Sequence, residues 1–249
     1  MDQDKINQVC TALNCEYTFY YESEGEEPVC LSNQPKNHHF LTASIIKVPI
    51  LFAWVMLERE GKVSSDEICS LQEEPIVEGA GFSYLFRQKE LPYADILTMM
   101  IAVSDNFCTN LIISKVGFEL FNQTFQNKLG LEGTHLGRKM MDSAARREGR
   151  DNWITTADMI RCFSLIDSFS EAEQKFVKER LAVCGSTNLF MRNIKEDSLI
   201  FYHKSGGLSD VKNEWGFTDH VRLFLLTNHY ENEISVCEAF GKLGRMLLK

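Results

Sequence analysis

The sequence predicts an α/β chain in which one five-stranded sheet is built from both chain ends and an all-helical block is inserted between them. Three observations predict it. β-prone segments cluster near the two ends, helical periodicity runs from about residue 40 to 190, and the last segment returns to an amphipathic helix. The α/β part therefore takes residues 1–36 and 190–249, and the helical part takes 37–189.

The elements follow in order. Residues 3–14 carry Ile6, Val9 and Leu13 at helical spacing. Tyr17-Thr18-Phe19-Tyr20-Tyr21 is aromatic and β-prone, and Pro28-Val29-Cys30-Leu31 is its hairpin partner across Glu22–Glu27. Val48–Leu57 is apolar all round, which predicts a buried central helix. Tyr93–Val103 and Phe118–Leu129 are amphipathic helices. Thr155 with Asp158, and Ser170 with Glu173, read as capping boxes opening two more. Strands return at Ser198–Lys204, Glu214–Thr218 and Val221–Asn228. Val236, Phe240, Leu243 and Leu247 share one face of a closing helix.

Composition narrows the function. With 44% apolar and 24% charged residues, the 249-residue chain is globular. A net charge of −9 argues against a nucleic-acid partner. No apolar run approaches the roughly 20 residues of a membrane span, so no membrane partner is expected. The eight cysteines include no C-x-x-C and no zinc spacing, so no metal is expected and the thiols are read as free. Met1-Asp2-Gln3-Asp4 is acidic where a secretory signal starts basic, so the chain is expected in the cytoplasm. G-x-S-x-G, G-x-G-x-x-G, the P-loop and H-E-x-x-H are all missing.

Three short motifs remain. Ser44-Ile45-Ile46-Lys47 is an S-x-x-K, a pattern that 18 Ser and 15 Lys produce about once by chance. Ser209-Asp210-Val211-Lys212 is such a second copy. Ser44 differs because it stands at the start of the apolar helix, where backbone N–H groups lack partners and can face an oxyanion. Lys47 lies one turn on, and a desolvated lysine can accept a serine proton. Ser104-Asp105-Asn106, in a turn between helices, is expected by chance only about 0.05 times. Lys204-Ser205-Gly206 is read as a strand end and is expected about 0.1 times. Each has a bland reading as a helix cap or Gly turn, but together they supply what serine acyl transfer needs.

The three motifs, in this order, resemble the class A β-lactamase and penicillin-binding protein superfamily. The sixty residues from Ser44 to Ser104 and the hundred from Ser104 to Lys204 look like class A spacing. The resemblance implies an antiparallel five-stranded sheet flanked by helices, with the inserted helical domain. It implies Ser44 as the acylated nucleophile and Lys47 as its proton partner. Ser104 would pass the proton to the leaving nitrogen, and Asn106 would hold the substrate amide. Lys204 would support Ser104 and attract a substrate carboxylate, with Ser205 also contacting it. The N–H groups of Ser44 and Gly207 would form the oxyanion hole. The substrate would be a small β-lactam, amide or ester, with no cofactor, and the protein a monomer.

One departure matters. Class A enzymes carry E-x-x-L-N, whose Glu activates the deacylating water, and this chain lacks it. The corresponding stretch, Arg138 to Asn152, offers Asp142 and then Glu148 as candidate bases, or reads as a basic solvated loop whose acids pair arginines. Lys212 and Arg222 are the candidates for a second carboxylate-binding cation. Alternatives to β-lactam hydrolysis are a DD-peptidase or esterase on the same fold, an acyl acceptor that does not turn over, and an inactive scaffold.

Overall fold

The computed structural model describes residues 3–195 and 199–248. Helix α1 (Gln3–Thr11) is followed by strands β1 (Glu16–Ser23), β2 (Val29–Ser32) and β3 (His39–Leu41). A 3-10 turn, Ala43–Ile46, leads into α2 (Lys47–Arg59). Then come β4 (Ile68–Ser70), β5 (Glu90–Pro92), α3 (Tyr93–Ala102), α4 (Asn106–Val116) and α5 (Phe118–Thr124). After α6 (Ser143–Arg147), β6 (Trp153–Thr155), α7 (Thr156–Ser168) and α8 (Glu171–Ala182), the chain re-enters the sheet. It does so through β7 (Tyr202–Leu208), β8 (Val211–Phe217) and β9 (Val221–Asn228), and closes on α9 (Glu233–Leu247).

The main sheet has the order β2-β1-β9-β8-β7, with every pair antiparallel. Its two faces feed two cores, because side chains alternate along a strand. Tyr17, Phe19 and Tyr21 join Leu223 and Leu225 beneath α1 and α9. Tyr20, Phe224 and Trp215 face the helical block, where Phe163 stacks on Trp215 at 4.7 Å. Helix α2 runs through the middle of that block, with Lys47 through Val55 all buried. Fully burying a side chain such as Phe52 stabilises by about 1.5–3 kcal/mol.

The inserted block also carries two short ladders, β3–β6 and β4–β5. The β3–β6 pairing delivers the chain to Ser44: Thr42 N–H donates to Asn152 O at 3.0 Å just before the 3-10 turn. Ser170 and Glu173 form the full capping box of α8. Thr155 makes only half of one, because the Asp158 carboxylate accepts instead from Gly133 N–H and Thr134 Oγ1. The strand expected at Ser198–Lys204 is displaced: Ser198 lies outside the described residues, and β7 runs from Tyr202 to Leu208. Lys204-Ser205-Gly206 therefore sits inside an edge strand rather than at its end. The sequence hid this because glycines in a strand weaken its signal. All eight cysteines are free thiols.

Candidate active site

The three motifs meet where α2 begins, beside edge strand β7 and below the α3–α4 turn. Gly206 fixes the first junction. A Cβ built there would lie 2.7 Å from Ser44 N, 2.8 Å from Ile45 N and 2.9 Å from Thr42 O, all backbone atoms. Only glycine lets the strand lie this close to the serine turn. Ser44 is half-buried and sits in the 3-10 turn, one residue after Ala43, whose φ is +46°. Among the described residues, Ser44 Oγ makes no hydrogen bond.

Lys47 begins α2 with none of its surface exposed. Its Nζ donates to Ser104 O at 2.7 Å, Ser104 Oγ at 3.1 Å and Asn106 Oδ1 at 3.1 Å. Sequence spacing places Lys47 beside Ser44, yet the amine is engaged by the second motif and not by Ser44 Oγ. Burial pushes the Lys47 amine well below its usual range, and the nearby Lys204 charge pushes the same way. Lys204 is equally buried, and its amine is lowered by desolvation. The expected contact of Lys204 with Ser104 is not made: its Nζ donates to Ser205 O at 2.8 Å. Ser205 is half-buried and Gly207 exposed on the outermost strand of the sheet.

The second motif is held from below by Asp105, to which the sequence assigned no role beyond a helix cap. Its buried carboxylate caps α4 through Cys108 N–H and accepts from Phe82 and Ser83 N–H, each at 2.9 Å. Gly81, at φ +81°, makes room for it, since a Cβ there would sit 2.2 Å from Asp105 Oδ2. The clamp adjoins Ser104, whose φ is +55°, an uncommon conformation for a serine. It also brings the 78–82 segment to the rim, where Asn106 Nδ2 donates to Glu78 O at 3.1 Å. Asp105 was legible as an N-cap, but its remote partners were not.

The loop after Gly137 is closed by Arg138 Nε donating to Asp151 Oδ1 at 2.8 Å, both side chains buried. Arg146 adds a contact to Asp151 at 3.2 Å. Asn110, one turn beyond Asn106, clasps Met140 by accepting from its N–H at 2.7 Å and donating to its carbonyl at 3.2 Å. Two asparagines four apart on an apolar helix were the available signal. Each candidate base has a partner in this loop. Asp142 caps α6 by accepting from Ala145 N–H at 2.9 Å, and Glu148 pairs with Arg150 on the surface. Met141 and Asn106 both reach Gly79: a Cβ built there would lie 2.9 Å from Met141 Cε and Sδ and 3.3 Å from Asn106 Nδ2.

Of the two candidate cations, Lys212 lies opposite Gly207 on β8 and pairs with Glu233 at 2.7 Å. Arg222 is bound to Asp167 near the start of β9, about 17 Å along the strand direction from the Lys212 level. It is not part of the site. Among the described residues, no group of three or more His, Cys, Asp or Glu is arranged to hold a metal ion. No described helix is long and apolar enough to cross a membrane.

The sequence matches the model described as the beta-lactamase enzyme family over residues 3–249. The chain belongs to this family. A β-lactamase of Sphaerobacter thermophilus shares its fold at 22% identity, with a TM-score of 0.85 over 100% of this chain and 97% of that one. The solved structure of PBP-A gives 21% identity and a TM-score of 0.84, covering 98% of this chain and 93% of that one. An ancestral class A β-lactamase gives 15% identity and a TM-score of 0.83, covering 98% of each chain. A search of curated protein sequences found no match. At these identities the structural likenesses establish the fold, and the chemistry must be argued from the residues.

Proposed function

We propose that this β-lactamase-family chain is an active-site serine hydrolase that forms an acyl-enzyme on Ser44 and releases it slowly. The observation that carries the reading is the buried Lys47 amine held at 3.1 Å from Ser104 Oγ, with Gly206 packed against Ser44 N. Ser44 Oγ attacks the carbonyl of a β-lactam, amide or ester, and the C–N or C–O bond breaks as the acyl bond forms. The serine proton passes to Lys47, whose burial favours the neutral amine, once that amine gives up one of its three bonds to the second motif and turns its lone pair to Ser44 Oγ. Ser104 Oγ then relays a proton to the leaving nitrogen or oxygen. Backbone N–H groups of Ser44 and Gly207 stabilise the oxyanion. Asn106 holds the substrate amide, Ser205 contacts the carboxylate, and Lys204 supplies the positive charge.

Deacylation needs a base to deprotonate water. Asp142 and Glu148 are committed to a helix cap and an arginine, which supports slow turnover. A peptidase or esterase using the same acyl-enzyme is the second reading, and it rests on the same loop. Intact-protein mass spectrometry after incubation with benzylpenicillin tests the proposal. One adduct is expected, mapping to Ser44, lost in Ser44→Ala and outliving the mixing time. Adduct formation in Ser44→Ala overturns the nucleophile assignment, and rapid steady nitrocefin hydrolysis overturns the slow release.

A further inference from the structure

Directly behind Lys204 lies a buried pair that none of the steps above uses. His203 precedes Lys204 on β7, and Glu214 on β8 sits opposite Ser205, one diagonal step away. Their side chains are 4% and 0% exposed. His203 Nδ1 is 2.7 Å from Glu214 Oε1, and Nε2 is 3.2 Å from the Cys184 carbonyl oxygen. A carbonyl only accepts, so Nε2 carries a proton. A second proton lies between Nδ1 and Oε1, and whichever atom holds it, the pair is neutral overall.

The pair grips both ends of one segment. Glu214 Oε2 accepts from Phe190 N–H at 2.7 Å, while His203 holds Cys184. Gly185, the next residue, donates its N–H to Ala102 O at 2.8 Å, two residues before Ser104. An unbroken line of contacts thus runs from the strand carrying Lys204 to the turn carrying Ser104. The His203 ring is fixed by stacking on Phe201 at 4.7 Å.

We propose that His203 and Glu214 are positioning residues that clamp segment 184–190 onto the sheet and so set the gap between Lys204 and Ser104. The proposal rests on the acyl-transfer reading given above. It assigns the effect to the hydrogen bonds and not to net charge, because the pair has none. Glu214→Gln preserves those bonds. Its amide oxygen accepts from Phe190 N–H, its NH2 donates to Nδ1 of a neutral His203, and Nε2–H stays on Cys184 O.

The test is rapid-quench mass spectrometry of the full chain with benzylpenicillin at several concentrations, which separates the dissociation constant from the first-order acylation constant. His203→Phe and Gly185→Pro are expected to lower the first-order constant about 10- to 100-fold, the range for sub-ångström to 1 Å misplacement. Their dissociation constants are expected to stay within about threefold. Glu214→Gln is expected to acylate within about threefold of wild type, as the rescuing variant. A pair that serves stability alone would lower the melting temperature and leave the acylation constant of the titratable sites unchanged, and that result overturns the proposal. A large loss in Glu214→Gln overturns it too. If His203→Phe does not fold, Gly185→Pro decides by itself, since it keeps the pair and alters an exposed loop. A wild-type chain that is never labelled overturns the acyl-transfer reading and this inference with it. A labelled wild type with an unchanged Gly185→Pro overturns this inference alone.

Discussion

Gly206→Ala is the sharpest probe of how the site is assembled. The added Cβ meets Ser44 N at 2.7 Å, Ile45 N at 2.8 Å and Thr42 O at 2.9 Å. All three are backbone atoms held by the β3–β6 ladder and the first turn of α2, so no side chain can swing aside. Restoring an ordinary contact of 3.4 Å requires β7 and the serine turn to part by about 0.7 Å. Overpacking of this kind costs about 1–3 kcal/mol. For a chain of this size that is a fall in melting temperature of roughly 2–12 °C. The same displacement pulls Ser44 from the β7 backbone that would bind the oxyanion. A shift approaching 1 Å costs up to about 100-fold in rate. The assay is thermal unfolding paired with the first-order rate of benzylpenicillin acylation. An alanine variant with wild-type melting temperature and wild-type acylation would refute the placement of β7 against Ser44.

Three further outcomes follow from the titrating and capping groups. Because burial lowers the Lys47 pKa and the neutral amine is the active form, the acylation rate should rise with pH and level off well below the ordinary lysine value of 10.5. A rate of Ser44 labelling that still climbs tenfold per unit near pH 10 would remove Lys47 as the base. Asp142→Asn should leave the slow release of benzylpenicillin within about threefold of wild type, since an asparagine oxygen still caps α6. Asp142→Ala should cost about 0.5–2 kcal/mol in urea unfolding through loss of that cap. Accumulation of acyl-enzyme in Asp142→Asn, from a wild type that turns over, would instead make Asp142 the deacylating base.

The sequence by itself determined the sheet-forming chain ends, the buried central helix and the identity of the three motifs. These are local signals: a β-prone aromatic run at Tyr17–Tyr21, an all-apolar run at Val48–Leu57, a serine preceding it, and the capping box that opens at Ser170. Tertiary structure decided what each motif residue touches. Lys47 is three residues from Ser44, yet its hydrogen bonds go to Ser104 and Asn106, because the α3–α4 turn descends onto a fully desolvated amine. Asp142 had the right chemistry for a base, but its nearest unpaired donor was the first turn of α6. The grip of Asn110 on Met140 and the His203–Glu214 clamp join residues from different elements, and no local pattern announces such partners. A buried polar group must find whatever partner the packed chain brings to it. That choice is made only once distant segments are in contact.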